Sequence, residues 1–452
     1  MFRVDGYDVN GYNVCVMRKS SEQSEKWYRL DNSADIYPMS STLTTMSIFR
    51  LSAEMEEYVD GDNLEAAVAA VLKRFPTFAV TLRRGFFRYY FDSNELPPVV
   101  RQDNGILFDK IDSVRNNRYL FRVQYYKKRI SVDFFHGLCD ATGAMEFMKS
   151  LVYRYLDECG KTLPPHGDVK VEGEPVRERE LEDSISKYYT QYSIFGGVVG
   201  KMAGKNCFGI RGRKFRSLGY GLIHGYVRQD ELHALARSMD CTVTVLITAI
   251  ALLSIYKVYC KRDVSRDLVA MIPVNLRKIF PSETLLNFTT LTKCAVNPAS
   301  TPAELREYVR LCKAQLAESL SARHELAEKL SLSAFYSTNK LMKFLPVWLK
   351  EFFIKFGKAV TTQTKQTLII SNLGVVRMPE GMENFLRRFT FNINISKKVP
   401  VNIGVVSYNG VTAISFTRML VSTELERVFF TTLADAGLRV EISSNLRERG
   451  DK

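Results

Sequence analysis

The chain has 452 residues, 46 % of them hydrophobic and 25 % charged, which is the make-up of a soluble globular protein too long for one ordinary core and therefore read as two domains. A net charge of +14 calls for an anionic partner: nucleic acid, a membrane surface or a phosphorylated cofactor. Eight scattered cysteines with no Cys-x-x-Cys pair exclude a disulfide framework and zinc at the usual ligand spacing, and point to free thiols in a reducing compartment. The opening Met-Phe-Arg-Val-Asp-Gly-Tyr lacks the apolar run of a signal peptide, so the expected location is cytoplasmic.

Residues 1–40 are polar and turn-rich, and 42–51 alternate as a strand. A helix starts at Asp62-Asn63, carries Leu64, Ala67, Val68, Val71, Leu72 and Phe75 at helical spacing, and is stopped by Pro76. Residues 86–91 read as a strand, and 119–126 with 130–135 as a hairpin around Lys127-Lys128-Arg129. The second hairpin strand runs into His136, and beyond Gly143 a helix carries Met145, Phe147, Met148, Leu151, Val152 and Leu156. Residues 164–182 form a polar crossover. From Ser184 to Gln229 there is no acidic residue but there are eight basic ones, including Lys201, Lys205, Arg211, Arg213, Lys214 and Arg216, which makes a solvated loop or an anion site.

A second ordered half follows. Residues 230–239 are helical, and 242–259 form a helix that its Thr, Ser and Lys residues mark as buried rather than membrane-spanning. Residues 268–274 are a buried strand, and 301–329 a long helix opened by Thr301-Pro302. Residues 344–356 set Phe344, Leu345, Trp348, Phe352, Phe353 and Phe356 against Lys343, Lys350 and Lys355, either as a core helix with one wet face or as a basic amphipathic helix at a membrane or lipid substrate. Strands at 368–373, 388–395, 402–408 and 412–418 and a helix at 423–436 complete the pattern, whose mixture of elements in both halves makes the class α/β or α+β.

Of five histidines, His136 alone closes an apolar strand beside a glycine, a position from which an imidazole can face a cleft and take a proton from an alcohol or amine. Asp140, four residues on, can orient the loop or the ring; the other reading is a strand-end histidine satisfied by backbone groups. Gly219-Tyr-Gly221-Leu-Ile-His-Gly225 has the wrong spacing for a dinucleotide loop, and no G-x-S-x-G, P-loop or H-E-x-x-H is present.

The block Asp133-Phe-Phe-His136-Gly-Leu-Cys-Asp140-Ala-Thr-Gly143 resembles the H-x-x-x-D motif of the chloramphenicol-acetyltransferase-like superfamily, which includes alcohol acetyltransferases, plant acyltransferases and peptide-synthetase condensation domains. The helix ending Arg74-Phe-Pro76, the strand Leu120-Phe-Arg-Val-Gln-Tyr-Tyr, Glu182-Asp-Ser-Ile-Ser-Lys-Tyr-Tyr189, Cys241-Thr-Val-Thr-Val-Leu-Ile-Thr-Ala-Ile, Met271-Ile-Pro-Val-Asn-Leu-Arg277 and Ser371-Asn-Leu-Gly374 resemble further segments of the group, so the likeness spans residues 40–440. Phe135 replaces a frequent first histidine, Ala141 a frequent glycine, and the D-F-G-W-G motif is missing, which favours the alcohol-acetyltransferase-like branch.

The resemblance implies two lobes, each a mixed sheet with helices, with an active-site tunnel between them: an N-terminal lobe over 1–180, a basic crossover over 181–214 and a C-terminal lobe over 215–452. It implies acyl transfer from acyl-coenzyme A, as co-substrate rather than bound cofactor, to a small or lipid-like alcohol or amine, with His136 as general base. Asp140 becomes a loop anchor paired to Arg277 in a bidentate contact, Gly137 and Gly143 serve tight turns, and Asn287 and Ser371 are candidate oxyanion donors. Lys205, Arg211, Arg213 and Lys214 become the candidate coenzyme A phosphate site. A metal and nucleic acid are not expected, and the protein is expected to be a monomer. The rival expectations are an acyl-carrier protein as donor, or a non-catalytic binding or scaffold protein that has kept the fold.

Overall fold

A computed structural model describes residues 27–28, 34, 36–41, 47–188, 207–215, 220–260, 265–321, 344–360 and 366–445. The expectations placed on Lys201, Lys205 and Arg216, and on the long helix beyond residue 321, lie outside these residues.

The described strands are β1 (Trp27–Tyr28), β2 (Ile48–Met55), β3 (Val80–Arg84), β4 (Tyr89–Ser93), β5 (Val100–Gln102), β6 (Phe121–Tyr126), β7 (Arg129–Phe135), β8 (Gly221–Arg228), β9 (Leu268–Asn275), β10 (Thr289–Val296), β11 (Leu368–Val375), β12 (Leu386–Ile393), β13 (Val401–Tyr408), β14 (Val411–Arg418) and β15 (Glu441–Ser444). The α-helices are α1 (Ile36–Ser40), α2 (Gly61–Arg74), α3 (Ala141–Glu158), α4 (Ser184–Tyr188), α5 (Gln229–Ser238), α6 (Val243–Ile255), α7 (Leu305–Ser321), α8 (Val347–Val360) and α9 (Glu424–Asp435).

Three sheets result, in the orders β12-β2-β7-β6-β5, β10-β9-β11-β13-β14-β8-β15 and β1-β4-β3. The two larger ones are mixed: β5 lies parallel to β6, and β11 parallel to both β9 and β13, while the other pairs run antiparallel. This is the two-lobed mixed architecture that the sequence pattern predicts.

In the first lobe, α2 and α3 bury their apolar stripes together with Phe134, Phe78 and Phe147, the last two stacked at 4.8 Å. The alternate residues of the same strands are polar and equally buried. Arg50 on β2 faces Asp133 on β7, and its guanidinium grips both carboxylate oxygens at 2.7 and 3.0 Å. It also reaches Asp103 at 3.0 Å and Gln124 at 2.8 Å, while Arg122 adds a 2.6 Å bond to Asp133. Burial opposes the Asp133 charge, yet the two arginines hold its carboxyl below the usual range. A fully partnered network of this kind fixes the register of β2, β6 and β7, and so fixes where β7 ends.

In the second lobe, α6 is buried nearly all round, as its apolar composition requires. Val243–Cys260 is the stretch among the described residues long and apolar enough to span a membrane, and it packs instead as the central core helix. Residues 221–225, with a glycine at either end, lie in β8. Gly221 and Gly225 leave room there for Arg418 and Phe430, whose side chains would lie 2.8 and 2.1 Å from an added Cβ.

Sequence order and lobe membership part company at β12. This strand, well inside residues 215–452, pairs antiparallel with β2 from Leu386↔Met55 to Ile393↔Phe49 and so completes the first lobe's sheet. The chain then returns as β13, at the centre of the other sheet. The two strands pass closely at Gly404, where an added Cβ would sit 2.1 Å from the Phe391 carbonyl oxygen.

Gly404→Ala is therefore expected to force β12 and β13 apart and to cost about 1–3 kcal/mol, as overpacking does. A urea midpoint equal to wild type would show that the two sheets tolerate separation there.

Candidate active site

His136 is the first residue after β7, and its N–H donates to the Ser47 carbonyl at 2.8 Å, extending the β2–β7 ladder by one bond. The register secured by Arg50 and Asp133 thus sets the ring position. Tyr37 of α1 stacks on the imidazole at 4.6 Å and 15°, and Phe49 meets it edge-on at 5.3 Å. Nδ1 lies 3.1 Å from the side-chain oxygen of Asn287. An amide oxygen only accepts, so Nδ1 carries the proton and Nε2 carries the lone pair. No described residue bonds to Nε2. Burial between the two aromatic rings pushes the pKa below 6.5, against weaker upward pulls from a backbone bond, the Asp140 charge and the Asn287 amide.

Asp140 makes no contact with the ring. It is the N-cap of α3, where Oδ1 accepts from the N–H groups of Thr142 and Gly143 at 3.1 and 3.0 Å. Oδ2 turns to the other lobe and accepts from Arg277 Nη1 at 2.7 Å and from the Phe288 N–H at 2.9 Å. Arg277 also donates to the carbonyls of Thr284 (2.9 Å) and Leu286 (2.6 Å) and to Asn275 Oδ1 (3.3 Å). The arginine therefore touches one carboxylate oxygen, not two as the bidentate expectation had it, because its fork is shared with the 284–286 loop. That loop also carries Asn287.

Gly137 lies in the turn closed by the Leu138 N–H on the Phe135 carbonyl at 2.9 Å, as expected, and both glycines also serve close approach. An added Cβ at Gly143 would lie 2.0 Å from the Leu285 carbonyl oxygen, and one at Gly137 2.5 Å from the Phe135 ring; neither has positive φ. Asn275 Nδ2 donates to Thr142 Oγ1 at 3.1 Å, a third tie between the α3 N-terminus and the second lobe.

His136 opens onto a cavity of about 1570 Å³ walled by both lobes, with Phe49 and Phe108 from the first and Val245, Ile272 and Ser371 from the second. A second, more polar cavity of about 600 Å³, lined by Glu146, Lys149 and Arg377, shares Thr142, Asn275 and Leu373 with it. Ser371, on β11, stands on the wall of the large cavity, as an oxyanion donor must. Asn287 is 3 % exposed, does not line that cavity and meets His136 through its side-chain oxygen.

The described members of the expected phosphate cluster do not line this cavity. Arg211, Arg213 and Lys214 are exposed but off the cavity wall, and Lys214 Nζ is bonded to the Lys397 carbonyl at 2.9 Å. The cations on the wall are Arg237, Lys278, Lys313 and Lys397, with Lys313 paired to Asp240. A run without acids marks charge density along the chain but says nothing of which basic residues converge in space. Tyr37 escapes sequence reasoning for a similar reason, as does the contact of the expected site residue Asn287 with His136, since each meets the ring from far along the chain. His224, by contrast, is a satisfied histidine: Ser415 Oγ sits 2.8 Å from its Nδ1, and burial drives its pKa down to about 4.

No family model and no curated protein matches the chain by sequence. Solved structures do match it in shape. TRI101 of F. graminearum, complexed with coenzyme A and T-2 mycotoxin, is 12 % identical with a TM-score of 0.61, covering 92 % of this chain and 99 % of that one. The chain has the chloramphenicol-acetyltransferase-like fold. Polyketide synthase associated protein 5 from Mycobacterium tuberculosis is 13 % identical, with a TM-score of 0.55 over 90 % of this chain and 97 % of that one. The starter condensation domain of rhizomide synthetase is 13 % identical, with a TM-score of 0.52 over 91 % and 97 %.

Two outcomes follow from the geometry. The His136 imidazole should titrate below 6.5 when followed by NMR; a midpoint at or above that value would mean that burial does not govern it. Arg277→Ala should lower stability by an amount on the order of 3–5 kcal/mol, because it strands the buried Asp140 charge. A denaturation curve superimposable on wild type would contradict that anchoring role.

Proposed function

We propose that the protein is an acyltransferase that moves an acyl group from acyl-coenzyme A to a hydroxyl or amine acceptor. The observation that carries this reading is the committed tautomer of His136 on the wall of a cavity shared by two lobes. With Nδ1–H held by Asn287, Nε2 takes the acceptor's proton as the acceptor oxygen or nitrogen attacks the thioester carbonyl. The tetrahedral intermediate bears its negative charge on the former carbonyl oxygen, near donors such as Ser371. Its collapse breaks the C–S bond, and the imidazolium returns the proton to the departing thiolate.

The lining of the cavity suits both substrates. The apolar wall suits an acyl chain and a lipid-like acceptor, and the cations Arg237, Lys278 and Lys397 suit the phosphates of the coenzyme. A lowered pKa suits the base, because the ring stays neutral and ready at pH 7. TRI101, which shares the fold, is complexed with coenzyme A, and this supports the choice of donor. Condensation domains also share the fold, so a carrier-bound thioester is the second donor to test.

The test is thiol release from acyl-coenzyme A of graded length against a panel of alcohols and amines, with a carrier-bound donor in parallel. His136→Ala should lose about 10²–10⁴-fold in rate while its melting curve stays unchanged. Wild-type turnover in that variant would end the mechanism, and no thiol release with any donor would favour a binding protein that has kept the fold. In wild type the rate should fall as pH drops through the His136 pKa, that is, below 6.5. Asn287→Ala should lower the plateau and move this acid limb to still lower pH, since the amide raises the ring's pKa. Asn287→Asp should move it up.

A further inference from the structure

The amphipathic helix α8 is built inside out. The residues it buries include Val347, 1 % exposed, and Lys350, 4 % exposed. Those it presents to solvent are Trp348 at 59 %, Phe352 at 57 % and Phe353 at 57 %, with Phe344 just before it at 67 %. Lys350 Nζ turns inward to donate to the Phe87 carbonyl at 2.8 Å, so the cation braces the helix and leaves the aromatic rings outside.

The turn between β3 and β4 extends the same surface. Phe86 is 67 % exposed and Phe87 is 44 % exposed. Their rings lie 4.8 Å apart, and Phe87 meets Phe344 at 6.4 Å. The Val347 N–H donates to the Phe86 carbonyl at 2.8 Å, which locks turn and helix into one face. Isolated exposed apolar residues need no explanation; six large aromatics on one face do.

The charge balance of these two segments is basic. Arg83, Arg84 and Arg88 belong to the turn and its flanks, where Arg83 pairs with Asp92 at 3.2 Å, and the α8 sequence holds Lys350, Lys355 and Lys358 against one acid. The acid on the helix, Glu351, is taken up by the Tyr89 hydroxyl at 2.6 Å and by Arg84 at 3.3 Å. A second copy docking on this face would set arginine and lysine against arginine and lysine. An anionic bilayer meets both requirements, since its acyl boundary accepts the rings and its headgroups accept the basic rim.

We infer that the face formed by the β3–β4 turn and α8 is a docking surface for an anionic membrane, with Trp348, Phe352 and Phe353 entering the interfacial region. The surface adjoins the site. Helix α8 packs on α1, whose Tyr37 stacks on His136 and lines the large cavity. Docking therefore brings the cavity wall towards a supply of membrane-dissolved substrates. The membrane contact itself is independent of the acyl-transfer reading.

The experiment is sedimentation of the full chain with phosphatidylcholine vesicles, with and without phosphatidylglycerol, together with quenching of tryptophan fluorescence by brominated lipid. The same quenching in W348F accounts for Trp27. Wild type should bind the anionic vesicles, release them as salt rises, and show quenching that W348F loses. The triple variant W348S/F352S/F353S, with its melting temperature checked, should partition about ten-fold less or weaker still. Absence of wild-type binding, equal binding by the folded triple variant, or quenching unaffected by W348F overturns the inference. Concentration-dependent dimerisation of wild type without vesicle binding, abolished in the triple variant, would assign the face to a second copy instead.

Discussion

Four hydrogen bonds to the Asp140 carboxylate hold the His136 loop against the second lobe. Two come from the first turn of α3, and two come from Arg277 and the Phe288 N–H in the other lobe. A buried carboxylate with fewer donors would be costly, and with all four it is a cross-link whose geometry both lobes must obey. The 284–286 carbonyls that also accept from Arg277 lie next to Asn287, so the same guanidinium that binds Asp140 also places the amide that holds His136. The loop between His136 and Asp140 is fixed at one end by the β-ladder and at the other by this clamp.

Because Asp140 is consumed by structure, the imidazole leans on a neutral amide. A carboxylate partner would stabilise the imidazolium and raise the ring's pKa; an amide orients the ring with a much smaller upward pull. Burial between Tyr37 and Phe49 then prevails, and the ring stays neutral. For the proposed acyl transfer, this trades basic strength for constant readiness, which suits removal of a proton only as the acceptor's bond to the acyl carbon forms.

Local order made much of this readable from the chain. The period-two pattern of β7 ending at His136, the helical spacing of α2 and α3, and the uniformly apolar α6 are each properties of a short window. The Asp140–Arg277 partnership was suggested by likeness to a family, not by spacing, since 137 residues separate the pair. What stayed hidden was long-range. Asn287 reaches His136 across 151 residues, and Tyr37 sits in a polar stretch without helical periodicity. The glycines of β8 look like a loop until Arg418 and Phe430 are seen to need the space. The acid-free run suggested a phosphate site, yet the cations that line the cavity come from four separated places along the chain.

The excursion of β12 has a consequence for how the molecule holds together when cut. Its ladder with β2 lays residues 386–393 of the second half against residues 49–55 of the first, in seven pairs. The lobes are thus stitched rather than hinged, and they cannot part as jaws without tearing a sheet. A chain severed in the crossover would leave two pieces that remain a single particle, each lacking a strand or a sheet that only the other can supply.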